Sequence, residues 1–352
     1  MPGTGRKPAR ILLVRNDRIG DLVLTTPAVE VLGNKLPGSK IDLLCSAYAE
    51  PVVRRNPYLS EVLTDRGAHD GSDLKELTSL VREHGYDCAV VLVHSLKNAR
   101  LVKRAGILLR IGPFVRWYAP FYFNRAVRQK RSRGEKSEAV YNIDLLRPLG
   151  IKSGELPPAK VLPDPKAVAW AESFCDRELG EWHRRPLVVV HPGMGGSALN
   201  WPEDCWKELV WLLERETEYM VLVTGSDNER GLLARVTGEV RSGGRVRIKT
   251  GMSLEHLIGL LSLARVVAAP STGPLHLAAA MSVPTVGIYS PVRAHHPVRW
   301  GPVGRGRIKI FLPPVDCPGT LRCLENRCPL FPCMGLFRPE EALEYIRSII
   351  TG

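Results

Sequence analysis

No apolar run in this chain reaches the roughly 18–20 residues that a bilayer-spanning helix needs, which excludes a helical integral membrane protein. The N-terminal MPGTGRKPAR is basic, but the ILLVR that follows is too short for the apolar region of a secretion signal, so a cytoplasmic location is expected. Paired C-x-x-C knuckles are also missing. Of the 8 cysteines, Cys45, Cys88, Cys175 and Cys205 are scattered singly and read as small apolar residues. Cys317, Cys323, Cys328 and Cys333 crowd together near the C-terminus, but their spacing lacks the pattern of a strong zinc site. Zinc binding and oxidative disulfides are both compatible with it; no metal is assigned. Acid is nearly absent from residues 97–136, where Glu135 stands alone against twelve Lys or Arg. Phe114, Trp117, Tyr118, Phe121, Tyr122 and Phe123 interleave there, in a chain whose formal net charge is +13. Such a stretch suits nucleic acid, an anionic membrane surface or an acidic glycolipid. No RNA- or DNA-binding motif accompanies the charge, so nucleic acid is not expected. The plainer alternative is a solvated basic face around a hydrophobic plug.

What is there is a globular composition, 44% hydrophobic and 24% charged, over 352 residues. That length makes two domains the default. The first half reads as a strand at 10–14, a helix over about 21–35, a strand at 41–45, a helix near 74–84, a strand at 88–93, and helices at about 96–105 and 137–149. The proline-rich stretch 151–165 is the best linker candidate. The pattern then restarts with a helix at about 166–180 and strands at 187–190, 220–223, 246–248, 265–268 and 285–289. Helices are expected at about 203–216, to about 240, at 253–263 and at 339–350. Alternating strands and helices predict an α/β protein with parallel, doubly wound sheets in two halves.

In such sheets ligands bind beyond the carboxyl ends of the strands. Four glycine-rich or polar loops sit there: RNDRIGD, HPGMGGS, TGSDNE and PSTGPLH. Together they predict a cleft between the two halves. The last is the most informative. Ser271, Thr272 and Gly273 leave a strand, Pro274 suits a first helical turn, and small residues follow. Free N–H groups and the positive helix end make this an anion site suited to diphosphate. An ordinary strand–helix turn is the bland reading. His276, one turn in, is placed to contact phosphate or sugar, although a single histidine is more often structural. Gly195, Gly196 and Ser197 allow close backbone approach to a ligand. Gly225 and Glu229 follow a strand end, where a carboxylate can hold ribose hydroxyls or simply favour the helix start. Asp21 is either a helix cap or a carboxylate able to take a proton from a hydroxyl nucleophile.

These blocks, ILLVRNDRIGDLVLTTPAVEVL, VVVHPGMGGSALNWPEDCWKELV, LVTGSDNE and PSTGPLHLAAAMSVPTVGIYSP, resemble glycosyltransferase family 9, the ADP-heptose:lipopolysaccharide heptosyltransferases and their relatives. The resemblance implies a GT-B architecture: an N-terminal acceptor-binding domain over 1–160, a linker and helix over 161–185, a nucleotide-sugar-binding domain over 186–337, and a terminal helix over 338–352. It implies inverting transfer without metal or other cofactor, from a nucleotide sugar such as ADP-heptose to an anionic glycolipid or glycan of the lipopolysaccharide-core kind. Asp21 inherits the role of general base, Glu229 ribose contact, and Thr272, Gly273 and His276 the diphosphate and sugar. Arg18, Arg128, Lys130 and Arg131 are the acceptor-binding candidates. A monomer, peripheral to the inner membrane, is expected. The chain departs from the family at Leu199, where a Lys or Arg often meets phosphate, and at Ser271, where heptose users often have Asp; Arg18 or Arg293 is placed to compensate. Two alternatives follow: a transferase using another sugar nucleotide, or a related binding protein that has lost catalysis.

Overall fold

A computed structural model describes residues 7–67, 72–152, 154–196, 198–215, 219–238 and 244–351. The chain divides into two compact units. One comprises Met1–Arg131 and Glu138–Leu162, the other Ser132–Ser137 and Pro163–Gly352.

The first unit is built on β1 (Arg10–Val14), β2 (Lys40–Ser46), β3 (Glu61–Asp65), β4 (Cys88–Val91), β5 (Leu109–Pro113) and β6 (Arg125–Val127), in the order β3-β2-β1-β4-β5-β6. Every pairing is parallel; Ile11 stands beside Ile41 on one side and Cys88 on the other. Helices cover both faces, so the central strands are apolar without alternation. Ile11, Leu12, Leu13 and Val14 are fully buried. The second unit repeats the plan with β7 (Leu187–Val190), β8 (Met220–Gly225), β9 (Val246–Thr250), β10 (Val266–Pro270), β11 (Thr285–Ile288) and β12 (Ile308–Phe311), in the order β12-β11-β10-β7-β8-β9, again all parallel. Both are doubly wound Rossmann-like sheets. In each, the strand order reverses beside the first strand of the unit, at β1/β4 and at β7/β10, where such sheets open a crevice for ligands.

Four strands were not anticipated: β3, β5, β6 and β12. Three are sheet edges, short and half covered, so their apolar signal is weak; β5 carries Arg110 and Gly112 inside the basic window. The helix expected over 21–35 is two helices, Ile19–Val23 and Thr26–Lys35. Pro27 has no N–H to donate back to Val23, and the Thr26 hydroxyl donates to that carbonyl instead, at 2.8 Å. Among the described residues no helix is long and apolar enough to cross a membrane.

Candidate functional site

In the first unit, β1 delivers Arg15 and the loop to Ile19 into the crevice beside β4. Arg15 is only 2% exposed. Its Nε donates to Asp17 Oδ1 at 2.8 Å, its Nη1 to the Leu92 carbonyl at 3.1 Å and to Glu138 Oε1 at 3.2 Å, and its Nη2 to Asp21. Arg131 donates to the same Glu138 oxygen at 2.6 Å. Two buried guanidiniums thus face three carboxylates. Burial alone would weaken the charge on Arg15, but Asp17, Asp21 and Glu138 outweigh it and hold the guanidinium more firmly protonated. Burial pushes the Asp21 carboxyl up to about 6, against the pull of Arg15 and with Asp17 and Glu138 adding to it. A carboxylate so poised is ionised at neutral pH and still basic enough to accept a proton.

The cluster incorporates only two of the sequence candidates, Asp21 and Arg131. Arg131 is buried and braces Glu138 from inside, with its guanidinium 5.6 Å from the Tyr141 ring. Arg18, Arg128 and Lys130 are exposed; Arg128 lies 4.9 Å from the Phe114 ring. Arg15, Asp17 and Glu138 were missed. Arg15 is simply the first residue past an apolar strand, and Glu138 lies 123 positions away, beyond any local spacing rule. The same strand ends carry a second polar network: Asn16 and Asn98 exchange amide hydrogen bonds at 2.6 and 3.1 Å, Asn16 donates to Asp65 at 2.6 Å, and Lys97 pairs with Asp65 at 2.9 Å. Lys97 is therefore committed to this pairing while remaining partly exposed.

The second unit collects its candidates behind three adjacent strands, β10, β7 and β8. After β7, Gly195 and Gly196 take φ of 57° and 70°, a left-handed pair that side-chain-bearing residues adopt at a cost. Both are exposed; Ser197 lies outside the described residues. The loop is latched by Asn200, which the sequence did not single out. Its amide donates to the Pro192 carbonyl at 2.7 Å and its oxygen accepts the Trp201 N–H at 2.8 Å. Trp201 is buried against Trp206 and Phe337.

After β8, Glu229 does two things at once. Oε2 accepts the Ser226 N–H and hydroxyl, both at 2.8 Å, closing a capping box. Oε1 lies against Gly193: a Cβ there would sit 2.0 Å from it. At Gly225 a Cβ would meet Leu233 at 2.7 Å and Glu229 at 3.3 Å. The carboxylate therefore stands at the meeting of the β7 and β8 loops, with one oxygen engaged in the cap. His191 completes this corner, 3.0 Å from the Thr224 hydroxyl; burial pulls its imidazole down to about 4 despite the opposing charge of Glu229.

After β10, Thr272 caps the helix Gly273–Ala280 by backbone position only, with no side-chain bond to the N-terminal N–H groups. Ser271, Thr272 and Gly273 are half-buried. The Ser271 hydroxyl bonds Tyr289, whose own hydroxyl donates to the Trp300 carbonyl at 2.9 Å. His276 is 5% exposed, its Nδ1 has no hydrogen-bond partner among the described residues, and burial lowers it to about 4. This crevice therefore offers glycines, hydroxyls, neutral imidazoles and unsatisfied helix N–H groups, an arrangement that suits an anion bound by backbone.

The sequence profile of glycosyltransferase family 9 (heptosyltransferase) matches residues 75–325. A provisionally named glycosyltransferase of Haemophilus influenzae is 31% identical over 84% of this chain and 86% of its own. Lipopolysaccharide heptosyltransferase 2 of Salmonella typhimurium is 26% identical over 80% of this chain and 83% of its own. Among solved structures, a family 9 glycosyl transferase from Veillonella parvula superposes with a TM-score of 0.81 at 18% identity, covering 97% of each chain. An E. coli heptosyltransferase solved with ADP gives 0.69 at 20% identity, covering 97% of this chain and 99% of its own. The two Rossmann-like sheets are those of the GT-B fold. The profile match and the relative sharing 31% of its residues over most of both chains make this chain a member of glycosyltransferase family 9, a sugar-transferring enzyme.

Proposed function

We propose that the chain moves a sugar, heptose first among the candidates, from a nucleotide-diphosphate donor such as ADP-heptose to a hydroxyl of a lipopolysaccharide-core or related glycan, with inversion and without a catalytic metal. The observation that carries this reading is Asp21: a carboxylate at a switch point, held by the buried Arg15 and raised to about 6. Asp21 takes the proton of the acceptor hydroxyl as that oxygen attacks the anomeric carbon. The carbon–oxygen bond to the diphosphate breaks, and the charge left behind is met by the N–H groups at the start of the helix Gly273–Ala280 and in the glycine loop after β7. Leu199 brings no cation to the diphosphate, so backbone groups carry that task. Glu229 Oε1 is the atom proposed to hold the ribose. The relatives' names and the E. coli structure with ADP support the choice of donor.

Replacing Asp21→Ala should abolish transfer in a product assay by mass spectrometry while leaving calorimetric binding of the ADP-sugar intact. Turnover near the unmodified rate would remove Asp21 as the base. A screen of ADP- and UDP-sugars against the same acceptor identifies the donor, and absence of donor turnover under every condition would favour the binding-protein alternative.

The acceptor is proposed to be met at a membrane surface. Trp117 is 82% exposed and Phe121 63%, beside the exposed Phe114 and Val115. Arg116, Arg125 and Arg128 are exposed in the same segment. Amphipathic rings among cations suit the headgroup layer of an anionic bilayer. Trp117→Ala combined with Arg116→Ala should reduce cosedimentation with vesicles containing anionic lipid; unchanged cosedimentation would assign the patch elsewhere.

A further inference from the structure

The segment 312–338 follows β12 and forms only two single-turn 3-10 stretches, Glu325–Arg327 and Cys333–Leu336. Irregular chain of this length inside a compact unit needs something other than sheet or helix pairing to hold it. Part of the answer is visible. The Gly319 and Thr320 carbonyls accept the Arg293 and Ala294 N–H groups at 3.2 and 2.8 Å, and Phe337 stacks on Trp201 and Phe311. Between these anchors stand Cys317, Cys323, Cys328 and Cys333.

All four line one small cavity of about 10 Å³, bordered also by Leu199, Val315 and Phe331. That is room for one water-sized sphere and too little for a metal cluster. Cys45 and Cys88 are fully buried among apolar neighbours, whereas Cys317, Cys323 and Cys328 are half-buried around this space. The backbone at two of them is arranged toward sulfur. The Gly319 N–H donates to Cys317 Sγ at 3.4 Å and the Glu325 N–H to Cys323 Sγ at 3.3 Å, each two residues on. Glu325 makes its bond from a left-handed φ of 50°. At Gly319 a Cβ would lie 2.9 Å from the Arg322 carbonyl and 3.3 Å from Cys317 Sγ, so the turn is closed around the sulfur. Such N–H bonds are strongest when the sulfur is a thiolate.

We infer that Cys317, Cys323, Cys328 and Cys333 hold one divalent thiophilic metal ion, zinc by its chemistry, as a structural tetrathiolate. Four S–H protons leave, four metal–sulfur bonds form, and the ion stays divalent, so no oxidant is needed. Tetrahedral four-sulfur coordination is the geometry zinc takes in structural sites. As the side chains stand, no group of three His, Cys, Asp or Glu among the described residues is already at metal-holding geometry; the assignment requires the four sulfurs to turn toward the cavity they line when the ion binds. The ion would tie the segment to Leu199 and so to the loop after β7. It takes no part in the transfer step proposed above.

The test uses the full chain. Elemental analysis after expression with added Zn²⁺ should find about one zinc per chain, and metal-free protein titrated with Co²⁺ should develop thiolate-to-cobalt absorption and the visible bands of a tetrahedral ion. Both should be lost in the Cys323→Ser/Cys328→Ser variant. Less than about a tenth of an equivalent after incubation with Zn²⁺, with no cobalt–thiolate band, would overturn the assignment. Retention of metal by the variant would overturn it equally. Should the variant fail to fold, the unmodified chain decides: a thiol reagent should reach about four more sulfurs after chelator treatment, and equal reactivity before and after rules the site out.

Discussion

The two units share one strand order and one crevice position, yet fill that crevice with opposite chemistry. In the first, β1 and β4 open onto Arg15, Asp17, Asp21, Glu138 and Arg131, a buried cluster of full charges. In the second, β7 and β10 open onto glycines, hydroxyls and two imidazoles held neutral by burial. The contrast shows what a doubly wound sheet supplies and what it leaves open. The sheet supplies the place, and the residue types just past each strand decide whether that place moves protons or cradles an anion. Charges surrounding Asp21 tune its basicity. Uncharged donors in the second unit suit the diphosphate proposed for it, because they can release a product more readily than full charges would.

Breaking the charge balance of the first crevice should have the largest effect. Arg15→Met leaves three carboxylates around one buried gap, and a loss of about 3–5 kcal/mol is expected in urea denaturation. A variant as stable as the parent would show that the cluster is not held by its pairing. Next comes pH. The proposed base Asp21 can accept a proton only when ionised, so under that proposal kcat/KM should fall about tenfold per pH unit below about 6 and level off above it. The second unit should respond differently. With His191 and His276 neutral down to about 4, affinity for an ADP-sugar should stay flat where the rate is falling. Unfolded histidines protonate near about 6.5, so these two should also make stability decline as pH drops from about 6.5 toward 4, measurable by denaturation at several pH values. A flat rate profile or a titrating donor affinity would erase the contrast.

Smaller effects sharpen the second crevice. Gly193→Ala drives a methyl into Glu229 Oε1 and should cost about 1–3 kcal/mol in stability or donor affinity, read by calorimetry. Glu229→Gln keeps the capping role, because an amide oxygen can still accept from Ser226. Only the proposed ribose contact would weaken, so donor affinity should drop by about fivefold, near 1 kcal/mol. A drop of several hundredfold would mean that Glu229 does more than hold a sugar hydroxyl.

Much of this was legible before the structure. Apolar runs with no alternation marked β1, β4, β7 and β10, because strands covered on both faces cannot alternate. The glycine pairs and hydroxyl-rich strand ends marked the loops, because left-handed turns and exposed N–H groups need those residue types locally. Asp21, Glu229 and the Ser271–His276 stretch came from the same local logic. Three of the four edge strands escaped, since a three-residue β6 or a half-exposed β12 buries too little to leave a pattern, whereas the edge strand β9 was anticipated.

By itself, then, the chain of residues determined two doubly wound α/β halves, the glycine-rich loops at their strand ends and the identity of the family. Those depend on neighbours in sequence: periodicity, caps and turns. The tertiary structure decided which charges meet. Arg15 and Glu138 lie 123 positions apart and share one hydrogen bond, Arg131 turned inward rather than out, and four unevenly spaced cysteines came to line one cavity. Electrostatic interaction and burial depend on distance through space, which folding sets and sequence separation does not reveal.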